Sequence, residues 1–145
     1  MAQIKVIAFD VYGTILCSDD YENALPPRPG FIEFISHAKN LKIKTVTSSD
    51  SDLTNMQLDL AATLNGTAPF GLEIFDGFFR LSMYPKIYQQ ILRFFGIKDE
   101  ELLVIGNDYD KDLSQAPLQA HKVLVPSYKI VADKFSFSQV VISDF

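Results

Sequence analysis

Three short apolar runs of this sequence each end in side chains that carry oxygen. Asp10 follows the first run, Thr47 and Ser48 end the second, and an acidic segment at residues 107–112 follows the third. Such groups are poor choices for a hydrophobic core, and together they form the hard, oxygen-rich environment that Mg²⁺ prefers. A metal on one side and hydroxyl and backbone N–H groups on the other could hold a phosphoryl group. The residue types therefore indicate phosphoryl chemistry at these three positions.

The elements that must position these residues follow from hydrophobic periodicity. Apolar runs alternate with segments of helical period, which is typical of βα units around a parallel sheet. We predict strands at residues 6–9, 43–47, 72–81, 102–105 and 122–125, with a last edge strand at 140–142. Helices are predicted from residue 31, after a cap at Ser51 or Asp52, and over 86–95 with Pro85 in the first turn and Gly96 at the end. Residues 65–70 are predicted to be a loop.

The sheet explains why the three polar segments belong together. In open parallel sheets, ligands bind beyond the carboxyl ends of the strands, where these segments lie. The fold class that we expect is a three-layer α/β fold, with a Rossmann-like parallel sheet and helices on both faces. We find no internal repeat, low-complexity segment or linker, so one domain over residues 1–145 is expected.

Composition restricts the partners and the compartment. Net charge is −5 and no run of Lys or Arg is present, which argues against nucleic acid bound through a basic surface. Cys17 is the only cysteine, so no internal disulfide can form and a reducing compartment fits. No signal peptide or bilayer-spanning run is found, and we therefore expect a cytoplasmic protein with no membrane partner.

At the level of motifs, the chain resembles the haloacid dehalogenase (HAD) superfamily of hydrolases. Residues 9–14, Phe-Asp-Val-Tyr-Gly-Thr, look like its first motif, Asp-x-(Asp or Tyr)-Gly-Thr after a buried strand. Residues 104–108 together with Asp112 are similar to its acidic fourth motif, and residues 28–31, Arg-Pro-Gly-Phe, also resemble members of this group. The order and spacing of the strand ends agree over nearly the whole chain. The resemblance implies a HAD-like core.

The resemblance also implies roles for individual residues. Asp10 would be the nucleophile that forms an aspartyl-phosphate or aspartyl-ester intermediate. Thr14 would orient the loop that carries this nucleophile. Thr47 or Ser48 would be the hydroxyl that binds a substrate oxygen, and the spacing does not decide between them.

A magnesium site is implied by the same motifs. Asp108 is the first choice of ligand, together with Asp10 and the carbonyl of Tyr12. Asp112 would support the metal directly or through a water. Asn107 occupies the position where many relatives carry the first Asp of this motif, so Asp108 would be displaced by one residue. Asp110 fits equally well as a solvated carboxylate at a helix start.

Two positions depart from the phosphatase pattern. Phosphatases of this group carry a second Asp as general acid and base where this chain has Tyr12, and a phenol with a pKa near 10 is a poor base at neutral pH. Tyrosine there is typical of 2-haloacid dehalogenases, whose halide leaving group needs no proton. The lysine of the third motif is also absent from its usual position, which is Ser82 here. Lys86 is the nearest replacement, for catalysis and for substrate binding, with Arg80 behind it.

Three functions therefore compete. A Mg²⁺-dependent phosphatase is favoured, because without metal the acidic segment would repel the Asp10 carboxylate. The dehalogenase-type hydrolase needs no metal, but that branch inserts a helical cap for which this chain has little room between Asp10 and Ile43. The third is a binding or regulatory protein that has lost turnover.

The lack of a large cap bears on the partners. An uncovered site can accept a large phosphorylated substrate, or it can be covered by a neighbouring subunit of a homo-oligomer. An aromatic cluster could form such a contact surface, although strand core is the favoured interpretation of its members, Phe70, Phe75, Phe78 and Phe79.

Overall fold

Five parallel strands form the central sheet of this protein in the order β3-β2-β1-β4-β5. The structure is a computed structural model that describes residues 3–64, 71–131 and 134–145. The strands are β1 (Val6–Phe9), β2 (Lys44–Thr47), β3 (Gly77–Phe78), β4 (Leu102–Gly106) and β5 (His121–Leu124). The α-helices are α1 (Phe31–Asn40), α2 (Leu53–Leu64) and α3 (Gln89–Phe95).

The side chains of the central strands point alternately to the two faces of the sheet and contribute to a hydrophobic core on each face. Ile7 and Phe9 of β1 pack with buried residues of α1 and α2 in one core, whereas Val6 and Ala8 pack with α3 in the other. Successive side chains of a strand point to opposite faces, so a fully apolar strand needs cover on both. The predicted α/β class with helices on both faces is confirmed.

Local signals at the helix ends also behave as expected. Gly30 precedes α1 and Gly96 follows α3, both with positive φ. Of the two candidate caps for α2, Asp52 accepts a hydrogen bond from the backbone N–H of Asn55 at 3.0 Å. Residues 10–43, between β1 and β2, contain a single α-helix, so no large cap is inserted there.

One predicted strand is much shorter than expected, and another is wrong. Residues 72–81 contain a 3₁₀ helix (Leu72–Ile74) and only the two-residue strand β3. The backbone carbonyl of Ile74 and the side-chain carboxylate of Asp76 accept hydrogen bonds from Thr45, in place of further backbone pairing with β2. Residues 137–144 form two 3₁₀ helices in place of an edge strand at 140–142. The ring of Phe137 packs against those of Phe9, Phe31 and Phe34, which draws this segment onto α1 and away from the sheet edge.

The third helix begins later than predicted. It starts at Gln89, so Pro85 and Lys86 precede it and are not in its first turn. The backbone N–H of Lys86 donates instead to the carbonyl of Lys111 at 2.9 Å. This leaves Lys86 in a connecting segment at the carboxyl end of the sheet, with consequences for the site.

The aromatic cluster is core where the structure describes it. Phe75 and Phe79 are buried in opposite hydrophobic layers and Phe78 is half-buried. Phe70 and the predicted loop 65–70 lie outside the described residues. Within the described ranges, none of the helices has the length and apolar character that crossing a bilayer requires.

Candidate functional site

Three charged side chains that are distant in the sequence meet at the carboxyl ends of β1 and β4. The Nζ of Lys86 lies 2.9 Å from Oδ1 of Asp10 and 2.6 Å from Oδ1 of Asp112. Lys86 is fully buried, and Asp10 and Asp112 are 5% and 1% exposed. The structure thus brings together the expected nucleophile, the displaced lysine and one carboxylate of the acidic segment.

The charges in this cluster do not balance. Two buried carboxylates share one ammonium, which leaves one negative charge in a region of low dielectric. Burial raises the pKa of Asp10 above its ordinary value, Lys86 opposes that shift, and the negative charge of Asp112 adds to it. The cluster is therefore suited to receive a further cation.

The loop after β1 holds the Asp10 carboxylate from its other side. Thr14 Oγ1 donates to Asp10 Oδ2 at 3.2 Å, the contact expected of a residue that orients the nucleophile. Gly13 has a φ of 82°, and a Cβ there would lie 2.4 Å from the side-chain nitrogen of Asn107. Glycine is required at this position on both grounds.

Arg28 is almost fully buried and holds the same loop through its side chain. Its guanidinium donates to the carbonyl of Gly13 at 3.3 Å and to that of Pro126, and it lies over the rings of Tyr128 and Phe135 at 5.5 and 4.7 Å. The sequence analysis singled out the Arg-Pro-Gly-Phe segment but assigned no role to Arg28. The structure shows that this residue holds the loop that follows Asp10.

A single π-helical turn (Tyr109–Leu113) follows β4 and directs Asp112 inward. The Oδ2 of Asp112 accepts from the backbone N–H of Asp108 at 3.1 Å, and a Cβ on Gly106 would lie 2.5 Å from the same oxygen. Asp108 itself is exposed, and its side chain accepts from the backbone N–H of Lys111 at the start of the turn. Of the described carboxylates in this segment, Asp112 is the one that contacts Lys86, and Asp110 is exposed.

The two candidate hydroxyls after β2 have different surroundings. Both are fully buried. Thr47 Oγ1 accepts from the backbone N–H of Phe79 at 3.2 Å, so it is used within the sheet. The Oγ of Ser48 has no hydrogen-bond partner of standard geometry among the described residues. It lies beside the phenol of Tyr88, whose hydroxyl donates to the carbonyl of Asp112. Ser48 is thus the hydroxyl that remains available to a ligand.

Tyr12 is bound to a neighbouring helix through its phenol. The hydroxyl donates to Oδ2 of Asp59 on α2, and Asn23 donates to the other oxygen of that carboxylate at 3.0 Å. Burial raises the pKa of Tyr12, and the hydrogen bond and charge of Asp59 raise it further. A phenol held in this way is a poor proton donor or acceptor at neutral pH.

A second ion pair, between Lys111 and Asp50, lies at the outer side of the site. Lys111 Nζ lies 2.9 Å from Oδ2 of Asp50, which follows β2. The Nε of Arg80 donates to the backbone carbonyl of Asp50 at 3.0 Å and Ser82 is exposed, so neither of these residues replaces Lys86 at Asp10. No local sequence pattern indicates the contact between Lys111 and Asp50, since it joins the loop after β2 to the turn after β4.

Two open cavities lie at the opposite edge of the sheet, with volumes of about 580 and 410 Å³. Both are lined by Gln3, Ile4 and Leu41, and neither has an acidic side chain in its described lining. They lack the groups that the expected chemistry needs, and the carboxyl end of the sheet is therefore the candidate site.

Metal ligands can be judged from the donor set. Over residues 3–64, 71–131 and 134–145, no group of three or more His, Cys, Asp or Glu side chains is placed to hold a metal ion. Mg²⁺ is commonly bound by one or two carboxylates together with waters and substrate phosphate. Asp10 and Asp112 provide two hard oxygen donors with an uncompensated charge, so the donor set fits a magnesium ion.

Among known proteins, this chain is similar to several solved structures. No protein-family model matches the chain, and no curated protein matches it in sequence. A haloacid dehalogenase-like family hydrolase from Xanthomonas campestris aligns with a TM-score of 0.68 and 14% identity, over 92% of this chain and 89% of that one. CbbY from Rhodobacter sphaeroides, in complex with phosphate, aligns with a TM-score of 0.64 and 15% identity, over 90% of each chain.

A third similar structure is the N-terminal part of BF1531 from Bacteroides fragilis, which contains a phosphatase domain complexed with Mg. It aligns with a TM-score of 0.68 and 14% identity over 87% of this chain, which spans only 37% of that one. At sequence identities of 14–15%, the similarity to these structures is one of backbone fold. Together with the strand order and the single helix between β1 and β2, it shows that the chain has the fold of the HAD-superfamily hydrolases without a large cap.

Proposed function

We propose that this protein is a Mg²⁺-dependent phosphatase that forms an aspartyl-phosphate on Asp10. The observation that carries the proposal is the buried contact of Lys86 with both Asp10 and Asp112 at the carboxyl ends of neighbouring strands. A nucleophilic carboxylate that approaches a phosphate needs a nearby cation and a fixed orientation, and Lys86 and Thr14 provide them. Phosphoryl transfer relies mainly on such positioning and charge stabilisation.

The reaction proceeds in two steps on this chain's own residues. A carboxylate oxygen of Asp10 attacks phosphorus, the bond between phosphorus and the ester oxygen breaks, and the ester oxygen leaves with the bonding electrons and takes a proton from solvent. Water then attacks phosphorus and loses a proton to solvent, the bond between phosphorus and the Asp10 oxygen breaks, and the Asp10 carboxylate and inorganic phosphate are released. Lys86 offsets negative charge in both steps, and the Ser48 hydroxyl donates to a phosphoryl oxygen.

The metal would be held by Asp10, Asp112 and the carbonyl of Tyr12. When bound, Mg²⁺ neutralises the surplus negative charge and polarises a phosphoryl oxygen. Asp112 takes the direct role first expected of Asp108, because the Asp108 side chain caps the turn at the surface. Asp108 then acts through water. The uncovered site leaves a large phosphorylated substrate or a neighbouring subunit as the proposed partner, in the cytoplasm.

Hydrolysis of an aryl phosphate with and without Mg²⁺ tests this function. We expect metal-dependent turnover by the wild-type protein and none by Asp10→Asn, because the amide cannot form the acyl phosphate. Asp110→Asn is the matched control, since it neutralises an exposed carboxylate of the same segment, and it should retain turnover. Metal-dependent activity that persists in Asp10→Asn would refute the nucleophile assignment.

The state of Tyr12 leads to a prediction about leaving groups. No carboxylate occupies position 12, and its phenol is bound to Asp59, so the departing oxygen receives no proton from this residue. General acid catalysis contributes about 10²–10⁴-fold. We therefore expect turnover of 4-nitrophenyl phosphate to exceed that of an alkyl phosphate by about 10²-fold or more. Steady-state rates with a series of esters measure this dependence.

Tyr12→Phe and Tyr12→Asp provide the controls for this prediction. The phenylalanine variant should keep the wild-type preference for good leaving groups, because the phenol transfers no proton. The aspartate variant should reduce the preference by restoring a carboxyl group. A selective loss of alkyl phosphate turnover in Tyr12→Phe would show that the phenol is the general acid after all.

A second candidate is a dehalogenase-type hydrolase that attacks carbon, favoured by one observation. Tyr12 needs no proton-transfer role if the leaving group is a halide, and Lys86 supplies a cation without metal. Release of halide from a 2-haloacid in the presence of a metal chelator would promote this candidate. A beryllium fluoride adduct on Asp10 without turnover of any ester would instead indicate a regulatory protein.

A further inference from the structure

The ion pair between Lys111 and Asp50 spans the end of the strand that carries the nucleophile. Asp50 follows β2 and Lys111 follows β4, and these two strands flank β1 in the sheet. The pair therefore crosses over the carboxyl end of β1, where Asp10 lies. The Lys111 side chain is 27% exposed and that of Asp50 is 41% exposed, so both remain open to solvent from outside.

Lys111 also belongs electrostatically to the buried cluster. Its partial burial alone would lower its pKa, but the hydrogen bond and charge of Asp50, with the charges of Asp10 and Asp112, outweigh burial and raise it. Its backbone carbonyl accepts from the N–H of Lys86, which ties together the segments that carry the two lysines. Lys111 is thus a protonated cation at the outer boundary of the site.

The charge balance of the site gives a reason for Lys111 to bind a phosphate ester. The inner cluster of Asp10, Asp112 and Lys86 has a net charge of −1, and the outer pair is neutral. A bound Mg²⁺ would change the charge of the inner cluster to +1, so a phosphate dianion entering this region would still need one further positive charge to be balanced. A partly exposed ion pair is weak, so a dianion can compete with a single carboxylate for the ammonium group.

We propose that Lys111 is a second phosphate-binding residue, which exchanges Asp50 for the phosphoryl group when substrate enters. The inference rests on the proposed phosphatase function and extends it by naming a specificity residue for dianionic substrates. Asp50 then acts as a competing partner that holds the lysine over the site before substrate arrives. The two residues have opposite effects on anion affinity, whereas an ion pair that only joined two loops would give them the same effect.

Binding of inorganic phosphate, measured by isothermal titration calorimetry with Mg²⁺ present, tests this difference without relying on turnover. We expect Lys111→Gln to weaken binding about tenfold or more, as for loss of a charge-assisted hydrogen bond. Asp50→Asn should tighten it by up to about fivefold, since the lysine is released and a repelling charge is removed. Lys44→Gln removes an exposed lysine at the other end of β2 and should leave the dissociation constant unchanged.

The outcomes separate this inference from the function on which it rests. If the wild-type protein binds phosphate and Lys111→Gln binds it equally well, the role of Lys111 is refuted and the phosphatase proposal stands. If both variants weaken binding to a similar extent, the pair only joins the loops, and the proposal is refuted in the same way. If the wild-type protein binds no phosphate, both proposals fail. Thermal midpoints of the variants establish that each is folded.

Discussion

Replacing Lys86 with methionine is expected to lower the free energy of unfolding by about 3–5 kcal/mol, as is typical when one partner of a buried ion pair is removed. The expectation rests on the geometry of this one residue. Its side chain is fully buried, and its ammonium is the cation that contacts both Asp10 and Asp112. Methionine keeps most of the volume but leaves two carboxylates buried without a counter-ion. Chemical denaturation at neutral pH, with metal removed by a chelator, measures the loss.

Matched variants separate charge from packing in this experiment. Lys44→Met makes the same change at an exposed lysine and should alter stability very little. The double variant Lys86→Met with Asp10→Asn should recover part of the loss, because only Asp112 then remains charged and unpaired. If the double variant is no more stable than Lys86→Met alone, the loss comes from packing, and the electrostatic account of the cluster is wrong. Turnover should be lost in both variants that lack Lys86.

Asp10→Asn is expected to make the metal-free protein more stable while it abolishes turnover. The substitution leaves Asp112 and Lys86 as a one-to-one pair and removes a carboxylate whose pKa is raised chiefly by burial. A gain of about 1–2 kcal/mol is expected, because the substitution removes one uncompensated buried charge and a buried polar group without full compensation costs at least that much. For a chain of this length that is roughly 3–6 °C in the thermal midpoint. Thermal unfolding in a metal chelator measures the gain.

The same carboxyl group determines how stability depends on pH. Because the folded protein raises the pKa of Asp10, the folded state binds the proton more tightly than the unfolded chain does. The resulting contribution to stability is complete below the ordinary carboxyl pKa and is lost as pH rises through the folded-state value. The difference in stability between Asp10→Asn and the wild-type protein should therefore grow from acid toward neutral pH. A difference that stays constant across this range would show that Asp10 is not the titrating group.

Addition of Mg²⁺ should reverse the order of thermal stability of the wild-type protein and Asp10→Asn. On the proposed function, a magnesium ion held by Asp10 and Asp112 would stabilise the folded wild-type protein by mass action, whereas Asp10→Asn lacks one of these two carboxylates. We expect the thermal midpoint of the wild-type protein to rise with Mg²⁺ concentration more than that of the variant. Equal shifts in the two proteins would place the metal elsewhere.

The sequence by itself determined the layers of the fold and the position of Asp10 at the end of the first strand. The apolar runs at β1 and β4 are buried on both faces, and only a parallel sheet covered by helices on each side accommodates two such strands. A parallel sheet in turn places every strand end at one edge, so the approach of Asp10, the hydroxyls after β2 and the acidic segment after β4 follows from local patterns. Gly13 and Thr14 could be interpreted in the same way, since a turn after a strand is a local feature.

The tertiary structure alone decided which side chains act together at that edge. Local periodicity placed Lys86 inside a helix, but its backbone hydrogen bond to Lys111 holds it before α3 and allows it to reach Asp10. A π-helical turn brings Asp112 inward and leaves Asp108 at the surface, a difference that depends on backbone hydrogen bonds rather than residue type. Tertiary contacts also bind Tyr12 to Asp59 on α2 and Lys111 to Asp50. The contacts of Lys86, Tyr12 and Lys111 join distant segments, and therefore no local pattern could specify them.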